Sequence, residues 1–160
     1  RTFAYMGVVA FEAAVGGSDE LQSLAGQVNG LDVVPPRDLG AVYDQGVVMD
    51  AAMAASVGNF FSNTGPTGQR AVAAMGAKMR AAAIADIPAG VVERSILLGE
   101  AIAAHVWEWS LSDGGSVVEN MGFPTEYALT KGPEHWVPTN VIVQQQAPLL
   151  PGWGDVRRPA

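Results

Sequence analysis

The chain has 160 residues, 49% of them apolar and only 8% aromatic, with 16 acidic side chains against 9 basic ones and a net charge of −7. That length supports one domain with a real core, and an acidic balance without a basic stripe argues against any nucleic-acid partner. The absence of cysteine excludes disulfides, thiolate metal sites and a cysteine nucleophile. Much of the apolar content is Ala and Val, which favours close-packed helices over a sheet, because Ala has the best helix propensity and lets helices approach.

Arg1 to Val15 reads as a helix that is apolar almost all round, with Phe3, Gly7, Ala10 and Ala14 along one line and only Glu12 interrupting it. Such a helix belongs in the centre of a bundle; it needs burial somewhere, and a homo-oligomer is one way to provide it, the sequence leaving the oligomeric state open. Its apolar run is too short to cross a bilayer, which takes about 20 apolar residues, so no membrane span is expected. No basic segment precedes it, so it is not a signal peptide. Gly16-Gly17-Ser18-Asp19 ends the helix and offers a cap for the next segment. Glu20 to Leu31 places Leu21, Leu24, Val28 and Leu31 at helical spacing, which predicts a short second helix that Pro35-Pro36 stops.

Asp44 is suited to N-cap a helix over 45–61, with Met49, Met53, Val57 and Phe60 as its apolar stripe. "SNTGPTGQ" from Ser62 is a loop by composition. Arg70 to Ile84 predicts another helix, with Val72, Met75, Met79 and Ala82/Ala83 inward and Gln69, Lys78 and Arg80 outward. Pro88 marks the start of the next, Ala89 to Leu111, where Val92, Ile96, Gly99, Ala103 and Val106 give the most regular pattern in the chain. Ser112-Asp113-Gly114-Gly115 closes it. The fold class expected is therefore all-α: a helical bundle over residues 1–120, followed by a long, extended Pro/Trp-rich C-terminal strap over 121–160. The roughly forty residues of that strap are far more than the usual connection of about 4–6, and Phe123, Tyr127, Trp136 and Trp153 argue against plain disorder.

Residues able to do chemistry are few. His105 and Glu108, three apart on a helix, could meet on one metal ion, but two ligands do not make a site and no third is evident, so a packing histidine beside a solvated glutamate is preferred. Glu12 is either a carboxylate with a raised pKa or a group that caps or bridges neighbouring backbone, and the structural role is preferred. Trp107 and Trp109 cannot share a face, so one belongs to the core and the other to a contact between elements. His135-Trp136 could stack on a ligand, although a buried anchor is the commoner role for Trp in such a strap. "SDGGS" lacks the spaced carboxylates of a calcium loop. No phosphate-binding glycine loop, nucleophile elbow or paired-histidine motif occurs. No catalytic, cofactor-binding or metal-binding residue is therefore assigned within this chain.

The order of blocks nevertheless resembles a family. "RTFAYMGVVAFEAAV" resembles the first core helix of the helical enzymes related to vanadium-dependent haloperoxidases, in the type 2 phosphatidic acid phosphatase superfamily. "LQSLAGQVNGL" is similar to the segment after it in the bacterial branch, and "RSILLGEAIAAHVWEWSLSDGG" to that branch's glycine-containing helix and its terminating turn. "GPEHWVPT" and "APLLPGWGDVRRPA" are similar to its strap. The resemblance implies a helical bundle whose anion site takes vanadate or phosphate through Lys/Arg-Pro, Pro-Ser-Gly-His and Ser-Arg/His motifs. There, basic donors hold the oxyanion and a histidine is covalent ligand or nucleophile.

None of those motifs is found here. Lys78 and Lys131 precede no Arg-Pro at the required spacing, Arg158-Pro159 matches the strap, and His105 and His135 lack the required context. The resemblance thus implies the N-terminal, non-catalytic half of a haloperoxidase or acid phosphatase, performing halide oxidation with peroxide or phosphate monoester hydrolysis. The partners implied are the C-terminal half of the same protein and a small anionic substrate, with vanadate the cofactor implied for that other half, none for this chain, and export to the periplasm or outside the cell. The alternative is a free-standing helical module that binds a protein or glycan through the Trp136/Trp153 strap.

Overall fold

A computed structural model of the chain describes residues 1–116, 128–137 and 153–158. It contains the helices α1 (Thr2–Val15), α2 (Gln45–Phe60), α3 (Pro66–Ala83) and α4 (Ala89–Leu111), with one 3-10 turn at Trp153–Asp155. No strand occurs among the described residues, so the fold is all-α as expected. The chain divides into two compact units, Arg1–Trp109 and Ser110–Pro159. The expected boundary after residue 120, Phe123, Tyr127 and most of the strap lie outside the described residues.

In the first unit the apolar cluster gathers Tyr5, Val9 and Ala13 of α1, Leu31 from the following connection, Val48 and Ala52 of α2, and Leu98, Ile102, Ala103, Val106 and Trp109 of α4. Gly99 sets the spacing of α4 on α2. A Cβ there would fall inside contact distance of the Val48 carbonyl oxygen and lie 2.8 Å from both the Ala52 nitrogen and the Ala51 Cβ. Small residues on the facing helix complete this close approach, and so the deeply buried face of α2 is Val47, Val48, Ala51, Ala52 and Ser56. The expected stripe of Met49, Met53, Val57 and Phe60 is only half-buried. Periodicity weighted by size misplaced the face, because two backbones this close leave room only for small side chains.

α1 also differs from expectation. Tyr5, Val9, Glu12 and Ala13 are its buried face, while Phe3 is 81% exposed and Gly7 is open to solvent. The line through Phe3 and Gly7 is therefore the outer side of a helix at the edge of the cluster rather than at its centre.

Asp44 caps α2, its Oδ1 accepting the Val47 N–H at 2.9 Å. Its own N–H donates to Ser95 Oγ of α4 at 2.9 Å, which ties the entry of α2 to a fully buried hydroxyl. Asp44→Ala is expected to lower stability by about 1 kcal/mol, seen as a lower urea midpoint at unchanged slope.

α3 starts at Pro66, four residues before the sequence pattern suggested, with Pro in the first turn, where its missing N–H is not needed. It has no buried residue. Met75 and Met79, expected inward, are 57% and 55% exposed. The side turned to α2 carries Val72, as expected, with Gly76 and Arg80, and Arg80, expected outward, pairs with Asp50 of α2. A base on one helix thus meets an acid on its neighbour, a pairing that the apolar pattern of α3 does not reveal.

In the second unit, α4 ends in the terminator foreseen at Ser112–Gly115. Asp113 is 4% exposed and its Oδ1 accepts the Gly115 N–H at 2.6 Å, with Gly114 at φ +85°. Residues 132–135 form a turn closed by the His135 N–H on the Gly132 carbonyl.

Candidate functional site

The most polar feature inside the first unit is Glu12. One apolar helix turn carries it inward, where it is 3% exposed. Its Oε1 accepts the Leu24 N–H at 2.6 Å and its Oε2 accepts the Ser23 hydroxyl at 2.9 Å. Both carboxylate oxygens therefore hold backbone and side chain of the connection after α1, which is the bridging role preferred from sequence.

The helix expected over residues 20–31 is absent. The glutamate supplies a reason: an acceptor fixed at Leu24 turns the backbone around itself, and Gly26 and Gly30 take positive φ of +72° and +78°, incompatible with a continuous helix. The Gly26 N–H then donates to the Leu31 carbonyl at 2.7 Å, closing a loop whose Leu31 reaches zero exposure. Leu24 and Val28 still pack on the cluster, whereas Leu21 is 41% exposed.

Beside Glu12 lies a cleft of about 190 Å³ lined by Ser23, Val34, Pro35, Pro36, Arg37, Leu98 and Ile102. Arg37 closes one side. Its guanidinium bonds to the Gln45 side-chain oxygen and stands 5.2 Å over the Tyr43 ring, while Gln45 donates to the Ala13 carbonyl at 2.7 Å. The amide donor thus serves a C-terminal carbonyl of α1, and Arg37, bonded to that amide's oxygen, stands at the helix end, where the dipole favours positive charge. Gly16 makes room for it: a Cβ at that position would lie 2.8 Å from Arg37 Nε.

The tryptophans divide as the spacing required. Trp109 is 7% exposed and its indole N–H donates to the Asn29 carbonyl at 3.1 Å. Trp107 is half-buried and meets Phe60 edge-on at 5.0 Å. Tyr5 joins both helices to α1, edge-on to Trp109 at 4.9 Å and stacked on Phe60 at 6.1 Å. This aromatic group was missed from sequence because its members sit on three helices.

His105 is half-buried and Glu108 exposed, and no group of three potential metal ligands occurs among the described residues. In the second unit, His135 pairs with Glu134 at 3.1 Å, and Trp136 and Trp153 are 41% and 40% exposed. Trp136 is therefore half in solvent rather than the buried anchor expected. Arg157 donates from its backbone N–H to the Asp113 carbonyl and from Nη1 to Ser112 Oγ, both at 2.9 Å, which places a cation at the end of α4. Lys78 and Lys131 are exposed. Among the described residues, no helix is long and apolar enough to cross a membrane. No protein-family model, curated protein or solved structure matches the chain.

Proposed function

We propose that this chain is the scaffold portion of a vanadate- or phosphate-binding enzyme of the haloperoxidase or acid-phosphatase type, with the Lys, Arg and His residues of the anion site on a segment outside these 160 residues. The observation that carries the proposal is the joining of three of the five blocks that bear the resemblance. Glu12 of the first block holds Ser23 and Leu24 of the second, and Asn29 of the second accepts from Trp109 of the third. Segments that carry the resemblance at distant points of the sequence thus pack in one unit, which supports a common scaffold. The scaffold's part is to hold its helices at a fixed spacing, since an oxyanion site depends on donors placed to within a fraction of an ångström. Vanadate would supply the activation of peroxide there, and phosphate would take its place in the hydrolytic alternative, both held by basic residues outside this chain.

The test is an intact-mass measurement on the protein from its native source, coupled to assays of vanadate-dependent halide oxidation and of phosphomonoester hydrolysis. The expected result is a species heavier than the 16.6 kDa of this sequence, or a second associated species, carrying one of the two activities. A single species of 16.6 kDa without either activity would remove the enzyme reading. The half-exposed Trp136 and Trp153 would then favour a module that binds a protein or glycan.

A further inference from the structure

Two outward helix faces in the first unit complement each other in charge. On α3, which has no buried residue, the outer side exposes Arg70, Ala74, Met75 and Lys78. This helix carries no acidic residue at all, in a chain whose net charge is −7. Arg80 is already engaged with Asp50, and Arg70 reaches only the hydroxyl of Thr67, at 3.2 Å. On α4 the outer side exposes Glu93, Leu97, Glu100, Ala104 and Glu108, three acids around a leucine that is 61% exposed. Met75, at 57% exposure, adds soft apolar surface to the same side of α3.

We propose that the protein self-associates, α3 of one copy lying antiparallel on α4 of a second. The spacing is what selects a second copy as the occupant. Arg70 and Lys78 stand eight residues apart, as do Glu100 and Glu108, so each pair spans about 12 Å along its helix. Antiparallel alignment sets Lys78 against Glu100 and Arg70 against Glu108 in the same register. That register brings Ala74 opposite Ala104 midway between the two ion pairs, where small residues let the helix axes approach. It also places Leu97 beyond Glu100, facing the alanines at the end of α3. The contact joins different patches of the two copies, so it is heterologous. It is independent of the scaffold reading above and stands or falls without it.

The experiment is sedimentation velocity on the full protein over a micromolar concentration series, with helix content followed by circular dichroism. The unaltered protein should associate, and more weakly as salt is added. Lys78→Glu and Glu100→Lys, both at exposed positions, should each raise the dissociation constant by about tenfold. The double variant K78E/E100K should return to within about threefold of the original, because the pair is restored with its signs exchanged. Mixing the two single variants should recover association, since each offers one reversed partner to the other. A monomer throughout the series would overturn the proposal. So would single variants that associate unchanged, or a double variant no better than the singles.

Discussion

Replacing Gly99 with Ala should destabilise the protein by about 2 kcal/mol, whereas the same change at Gly58 should stabilise it by about 0.5–1 kcal/mol. Both glycines lie inside helices, where Ala is the better helix former. At Gly58 an added Cβ meets nothing within 4 Å, so only the propensity gain remains. At Gly99 it meets the Val48 carbonyl oxygen and the Ala52 nitrogen of α2. Those are backbone atoms of a helix and cannot swing aside, so the helices must part along the whole Val48–Ala52–Ser56 face. Insertion of one carbon into a close-packed core costs about 1–3 kcal/mol, at its upper end where rigid backbone must move. The melting temperature should fall by about 5–8 °C for Gly99→Ala and rise for Gly58→Ala. Equal stability of the two variants would refute the close approach of α4 on α2.

Glu12→Ala should cost more, about 3–5 kcal/mol. It removes an acceptor from the Leu24 N–H and the Ser23 hydroxyl together, and leaves both facing the vacated space in the cleft that Leu98 and Ile102 also line. Glu12→Gln should fall between, because the amide keeps one oxygen but turns an NH₂ toward the other donor. The expected order of denaturant midpoints is wild type, then Gln, then Ala. A Glu12→Ala protein as stable as wild type would mean that the carboxylate is dispensable to the connection.

The sequence announced the helices better than it announced their faces. α1, α2 and α4 were legible because each pairs an apolar period with a recognisable boundary: Gly16-Gly17 after the first, Asp44 before the second, Pro88 before the last. Faces were harder, since a periodicity count rewards large side chains. Met49, Met53, Met75 and Met79 drew the stripes outward, while the closest contact rests on Gly99, Ala51 and Ala52. The segment from 20 to 31 shows the limit most clearly. Its leucines keep helical spacing, yet a hydrogen bond from Leu24 to a residue twelve positions earlier decides the backbone. No local pattern encodes such a partner, although a lone acid in an apolar helix was a signal that some polar group must meet it. The bridging role of Glu12 and the split of Trp107 from Trp109 were legible for that reason: each stems from the constraints on a buried polar group or a helical turn.

The joining of α1, the 20–31 connection and α4 into one scaffold is tested most directly by native-state hydrogen exchange at the Leu24 amide. Expected is exchange only through global opening, with protection equal to that of the Val48 amide in α2 and lost selectively in Glu12→Ala. Exchange of Leu24 in the unaltered protein at the rate of an ordinary exposed turn, with α2 still protected, would contradict it.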